Sequence, residues 1–493
     1  MSSIDTNTKA SGHDRDAILQ QVSRALEARK PDQAWELLAP LAPELPADRE
    51  LALTWLTLLR VTPGRASLIG DVRRVLERWP TDTELVLAGC DALVRAAELR
   101  APDEPPTADG PEALAVECAD RCLEALDDTA KKNPALGGYL QMTRANALRL
   151  AHLYTASLEA YRAALATDES NGQWWWNLSL LHKATHAWAD ALGAMDKARA
   201  KLGGDNSAVQ PPALGGDKSA EQPAALGGHK GLLWNTAICA TALGRGEAAV
   251  DALHALGFPA TLAPSGMPYV EGMPPAQVRV ATRGSGHGVG EGELDRAVLF
   301  ELVWVTPASP CHGVVQSATR RDGTVDYGDL VLWDGTPIGV GEHEGKPVPR
   351  FPLLAVLRHG DERRFRFVAL EQEAGDAARF GEDLPNDALY FAHHAKVEHL
   401  CARCASGDHM RKHEHTKPEP HRLVYGKLVL PASADLKAFR ATFDERLRAH
   451  PKVHFVVPGL LEALGETEAA GKAHQLWRGL EKTSIKSGAT PRA

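Results

Sequence analysis

A 34-residue self-similarity across the middle of the chain most constrains its fold. Laying 138–170 over the stretch from Gly172 onward puts Ala145 on Ser179, Ser157 on Ala191, Tyr161 on Met195 and Ala164 on Ala198. A fixed period of this length is the mark of stacked helical hairpins, each burying its neighbour's apolar face. Apolar residues at helical spacing extend over 14–257, in segments near 16–29, 33–42, 48–60, 65–78, 82–99, 111–127, 138–152, 155–167, 172–185, 187–201, 231–243 and 246–256. Pro or Gly stands at most joints, as at Pro31, Pro63-Gly64, Pro80 and Gly244. Paired, the segments give about six hairpins.

Over 138–256 the pattern resembles the tetratricopeptide repeat. Trp175, Trp176, Asn177 and Leu178 match the opening of that family's first helix, and Ala191, Met195 and Ala198 match the packing positions of its second. Trp234-Asn235, with Ala237, Gly244, Ala249 and Leu253, repeats the pattern. Residues 14–137 match as helical hairpins only. The resemblance implies an all-α superhelical solenoid over 14–257 that holds a protein or peptide in its groove. Asn146 and Asn177 stand where members that grip a C-terminal carboxylate place asparagines. Met142, Gly231 and Asn235 stand where those members place Lys, Lys and Arg, so the clamp's cations are missing. Trp176 and Trp234 occupy equivalent places on the groove side, as apolar anchors or as packing between repeats.

A 12-residue tandem unit interrupts the last repeat: Lys201–Pro212, Ala213–Ala224, then Ala225-Leu-Gly-Gly. Its Gly, Pro, Ser and Gln content reads 201–230 as a flexible insertion. Residues 258–292 are rich in Gly and Pro and read as a linker. Strand-like runs then cover Val298–Val305, Gly313–Ser317, Leu330–Trp333, Arg364–Leu370, Leu389–Ala392, Leu423–Leu430 and Val453–Val457. Helices around 433–449 and 466–482 close the chain. The fold class is therefore multidomain, a helical-repeat half followed by an α+β domain over 293–485.

Composition removes several functions. A net charge of −9 over 493 residues argues against a surface built for phosphates, so no nucleic-acid partner is expected. No apolar run is long enough to span a bilayer, so no membrane partner is expected. The start of the sequence has no signal-peptide pattern. Seven cysteines, an odd number widely spread, fit a reducing compartment, with the cytoplasm as the expected location.

The densest chemical constellation runs from His393 to His421. Cys401-Ala-Arg-Cys404 with His409 and His413 could place four ligands around one tetrahedral zinc ion. The spacing to His409 resembles a zinc knuckle, with the glycines displaced and His in place of the fourth Cys. A His-rich surface loop and a redox Cys-x-x-Cys are the other readings. Cys311 and His312 are adjacent, so on an extended segment they point to opposite faces; Cys311 would need a distant base, or would serve as a buried hydrophobe or a fourth zinc ligand. Asp326, Asp329 and Asp334 could do acid–base work, but turns collect Asp for local hydrogen bonds. The run Arg283–Gly290 lacks the ending of a phosphate loop. The sequence thus points to a cytoplasmic scaffold with a zinc-stabilised C-terminal domain rather than to an enzyme. Two alternatives stand beside it: an enzyme centred on Cys311 or a His-bound zinc, and a metal- or redox-responsive regulator.

Overall fold

The structure, a computed structural model, describes residues 12–45, 47–100, 106–126, 134–202, 229–282, 299–320, 323–385, 387–394 and 423–487. The chain divides into two compact units, and the division falls between Cys239 and Ala240.

The first unit is built from helices α1 (Gly12–Glu27), α2 (Pro31–Leu38), α3 (Arg49–Val61), α4 (Leu68–Arg78), α5 (Thr83–Ala97), α6 (Pro111–Ala125), α7 (Pro134–Leu150), α8 (Tyr154–Thr167), α9 (Gly172–Ala184), α10 (Trp188–Leu202) and most of α11 (His229–Ala242). Side-chain caps start several of them. Asp48 accepts from the amides of Glu50 and Leu51, Asp82 from that of Leu85, and Asn171 from those of Gln173 and Trp174. The helices cross where the residues are small. Ala145, Ser157, Ala164, Ser179, Ala191 and Ala198 are all fully buried, and Ser157 Oγ donates to the Ala145 carbonyl at 2.8 Å.

The period is written into the turns as well. His152 and His186, one period apart, have left-handed φ values of 60° and 58°. The amide after each reaches back over the helix end, Leu153 to the Leu148 carbonyl at 2.9 Å and Ala187 to that of His182 at 2.8 Å, closing a Schellman turn. The histidine rings stack on the aromatic residues that open the next helix, Tyr154 and Trp188. Arg29 and Gly244 make the same turn, with Lys30 bonding to Ala25 and Arg245 to Ala240.

The repeat register also reaches further back than position 138. Arg15 pairs with Asp48 and Glu50 at 2.7 and 2.9 Å. Arg49, the next rung of the same period, pairs with Asp82 and Glu84 at 2.6 and 2.7 Å. The hydrogen bonds from Arg49 hold the Asp82 carboxyl below its ordinary range. The sequence carries this ladder as Asp14-Arg15-Asp16, Asp48-Arg49-Glu50 and Asp82-Thr83-Glu84. Further along, Arg100 pairs with the fully buried Glu112 and donates to the Leu150 carbonyl at the end of α7, tying three helix ends together.

The second unit begins inside α11 and includes α12 (Gly246–Ala255), which the repeat pattern alone assigns to the hairpins. The reason is packing. α12 lies against β1 (Ala260–Leu262) and β2 (Pro268–Val270), so closely that a Cβ on Gly246 would collide with the Gly266 carbonyl. The linker reading of 258–292 is corrected in part. It contains β1, β2 and β3 (Ala276–Thr282), while 283–292 lie outside the described residues.

β3 joins β4 (Leu299–Ser309), β5 (His312–Val315), β6 (Leu330–Trp333), β7 (Gly339–His343) and β8 (Lys346–Arg358) in the order β3-β4-β5-β6-β8-β7. A parallel pairing of β3 with β8 closes the sheet into a barrel filled by Val278, Val280, Val303, Val305, Val315, Val331 and Trp333. A second sheet has the order β10-β11-β9-β12, from β9 (Arg363–Glu371), β10 (Leu389–His394), β11 (Leu423–Leu430) and β12 (Val453–Val456). One face packs Phe365, Phe367 and Leu428 against α13 (Asp376–Glu382) and α14 (Leu436–Ala449) through Phe380, Phe439 and Phe443. The other packs Val368, Tyr425 and Val456 against Trp477 of α16 (Thr467–Ser487), which follows the short α15 (Pro458–Ala463). β11 is buried along its whole length because both of its faces are covered.

Trp176 to Trp234 is the same step as Ala191 to Ala249. That step equals one 34-residue period plus two 12-residue units. Deleting 203–226 joins Leu202 directly to Gly227-Gly228 and restores the period. We expect this deletion to leave the melting temperature within about 3 °C of the parent, because lengthening a connection between helices costs little closure entropy. A loss of cooperative melting would show that the units are structural.

Candidate functional site

The residues expected to contact a partner fall on the first helices of three successive hairpins: Asn146 on α7, Trp176 and Asn177 on α9, Trp234 and Asn235 on α11. Tyr161, fully buried on α8, donates its hydroxyl to Asn146 Oδ1 at 2.6 Å. Burial pushes the Tyr161 phenol up, so it remains a donor at neutral pH. Asn177 Nδ2 lies 3.5 Å from Met142 Sδ on α7, and its Oδ1 accepts from Gln173 Nε2 at 3.2 Å. First helices of adjacent hairpins are thus neighbours, and their polar groups form one row.

The five residues are not equally available. Asn146, Asn177 and Trp234 are half-buried. Trp176 and Asn235 are each 8 % exposed. Trp176 therefore packs inside the unit instead of presenting an indole face, and Asn235 spends its amide on the Gly231 carbonyl at 2.8 Å. Met142, where a clamp would need a cation, is buried under the Asn177 amide. Two exposed residues escaped the sequence reading. Tyr139 on α7 and Gln173 on α9 share one column of the repeat register and open this row toward solvent. The register alone would have found them, but an aromatic and an amide in one column carry no common chemical signature.

Cys401, Cys404, His409 and His413 lie outside the described residues. Among the described residues no group of three or more His, Cys, Asp or Glu side chains could hold a metal ion.

Cys311 sits at the tip of the β4–β5 hairpin in a fully buried polar cluster. Ser309 Oγ lies 2.6 Å from His312 Nδ1 and 3.5 Å from Cys311 Sγ, and Thr241 Oγ1 lies 3.8 Å from the same sulfur. Ser309 thus bridges the two residues that alternate faces of the strand. The Ser–His distance is that of a nucleophile and its base. However, Ser309 and Cys311 are fully buried and His312 is 1 % exposed, so a substrate has no approach in this state. Burial pushes the Cys311 thiol up to about 11 and the His312 imidazole down to about 4. Both are neutral at pH 7, which fits packing better than catalysis.

The acidic turn is also committed to structure. Buried Asp329 accepts from the amides of Asp326 and Gly360, both at 2.9 Å, and from Arg364 Nη2 at 3.1 Å. Asp326 accepts from the Thr319 amide and pairs with Lys427 of β11. Asp334 Oδ1 accepts from the Thr336 amide, a local turn bond.

The geometry defines a class: tetratricopeptide-like helical hairpins followed by a unit that combines a closed barrel with an open sheet. Comparison with solved structures gives a match to a thermophilic tetratricopeptide-repeat protein of Thermus thermophilus. The identity is 16 % and the TM-score 0.28, covering 38 % of this chain and 92 % of that one. No family model matches the chain, and no curated protein matches it. The hairpin assignment therefore stands on the turns, crossings and ion pairs that recur with the period.

His312 generates a pH prediction. Its folded pKa, about 4, lies below the roughly 6.5 of an unfolded histidine. Between those values only the unfolded chain takes up the proton. Stability is therefore complete above pH 6.5 and falls as the pH drops toward 4, by up to about 3 kcal/mol. Urea unfolding at pH 7 and pH 4.5 should show this extra loss in the parent and not in His312→Asn. Equal losses would show that His312 titrates without cost.

Proposed function

We propose that the chain is a protein-interaction scaffold whose hairpins form a superhelical solenoid, with a protein or peptide partner lying along the first helices. The observation that carries this reading is the row of polar groups on α7 and α9, held in place by Tyr161 and Met142 and open to solvent at Tyr139 and Gln173. Groups fixed by their neighbours lose little entropy on binding. Asn146, Asn177 and Trp234 are the contacts drawn from the sequence that remain reachable. A cytoplasmic setting is part of the proposal: the five described cysteines are buried thiols. No described helix is long and apolar enough to cross a membrane.

The test uses the full chain. A photo-crosslinking residue at position 173 or 177 should capture a partner protein in cells. The same residue at position 162, exposed on the second helix α8, should not. Equal capture from both helices would remove the groove reading.

A zinc ion held by Cys401, Cys404, His409 and His413 belongs to the same proposal and stands on their spacing alone. Purified protein should carry one equivalent of zinc, and Cys401→Ser none. Chelation should then lower the melting temperature, because a structural site links metal binding to folding. The same metal content in both proteins would end the zinc proposal.

A further inference from the structure

Among the described residues, strand β10 is an edge without the usual protection, pairing with β11 on one side only. Natural edges are blunted by Lys, Pro, bulges or shortness. β12, at the opposite edge of the same sheet, is four residues long. β10 is six residues long, reads Leu-Tyr-Phe-Ala-His-His, and pairs with β11 in unbroken register. Its Leu389 is 36 % exposed.

The two ends of β10 carry opposite charge on one face. At the Leu389 end a cleft of about 310 Å³ is lined by Tyr327, Asp361, Glu362 and Asp387. At the Ala392 end a cleft of about 270 Å³ is lined by Thr319, Arg320, Phe391 and Lys427. Asp361, Asp387 and Arg320 are exposed. Lys427 is already paired with Asp326, and the half-buried Glu301 carboxylate accepts from the Arg320 amide, so the guanidinium of Arg320 is the exposed charge among the residues lining this end. The Phe391 and Tyr327 rings, 5.5 Å apart, stand between the two clefts.

An edge with an acidic end and a basic end complements itself when two copies pair antiparallel. The two-fold axis then lies perpendicular to the sheet, so the same face is continuous across the join. The acidic end of each copy meets the basic end of the other. A parallel pairing would set like charge beside like charge, and no closed two-fold would relate the copies.

We infer that β10 is the pairing edge of a symmetric dimer, in which two copies of this chain join antiparallel to make one eight-stranded sheet, with Arg320 of each copy facing Asp361 of the other. This inference concerns the second unit and is independent of the scaffold reading.

Sedimentation velocity of the full chain tests it. The expected result is a monomer–dimer equilibrium that weakens as salt rises. Asp361→Arg and Arg320→Glu each place like charges at both symmetric contacts, and each alone should dimerise at least about tenfold more weakly. An equimolar mixture of the two variants should dimerise again, because a mixed pair restores opposite charges at both contacts. Both substitutions are at exposed positions, and unchanged melting will confirm folding. A protein that stays monomeric at all concentrations would overturn the inference. So would a dimer that neither variant weakens, or a mixture that fails to recover.

Discussion

Close approach of helix backbones at small residues is the constraint on which the first unit depends. A large side chain at Ala145, Ser157, Ser179 or Ala191 would hold two helices apart, and the large residues around them would lose their partners. The Ser157 hydroxyl meets the Ala145 carbonyl across one such crossing, a contact possible only when the backbones nearly touch. Tyr161 and Met195, both fully buried, then fill the space beside the crossing. Repeating that arrangement once per period gives a row of first helices at constant spacing. Asn177 meets Met142, one helical turn before Asn146, through this spacing, far apart though the two helices are in sequence.

The second unit depends on a different device. Thr319 and the turn from Asp326 to Asp329 are fixed to the open sheet by two ion pairs with one buried partner each, Asp326 with the buried Lys427 and the buried Asp329 with Arg364. Lys427 also donates to Thr319 Oγ1 at 2.9 Å. Burying charges costs free energy unless each is paired and hydrogen-bonded, and these are. Such pairs do little for net stability but fix one arrangement over its competitors. The geometry that fixes these residues also forms both clefts beside β10, so the charge pattern of that edge follows from the way the sheets are joined.

The helices of the first unit were legible in the sequence to within about four residues at their ends, because amphipathic spacing and Gly or Pro punctuation are local signals, whereas the short α13 and α15 of the second unit were not. Leu330–Trp333 and Leu423–Leu430 were legible for a similar reason, as short apolar runs between turns. β8 was not. Pro347, Pro349 and Pro352 argue against a strand, yet Pro347 and Pro349 sit two apart, so their missing N–H groups fall on one side and pairing with β7 survives on the other. β1 to β3 were hidden by Gly and Pro in the same way. Trp176 and Asn235 looked like partner contacts because their places in the repeat were right. Their burial depends on packing from elsewhere in the fold, which no repeat position encodes.

The sequence by itself determined the hairpin period, the helix caps and the absence of clamp cations, since each rests on residues within one or two repeats. The ladder from Arg15 to Glu84 was written there too, as three acidic-flanked triplets in register. Only the tertiary structure decided that α12 belongs with the strands that follow it, that the barrel closes through a parallel pairing of β3 and β8, and that Ser309 joins Cys311 to His312 in a closed cluster. Those outcomes depend on contacts between segments distant in the chain. The repeat period tells a helix which neighbour to pack against, whereas a strand learns its partner only when the sheet has formed.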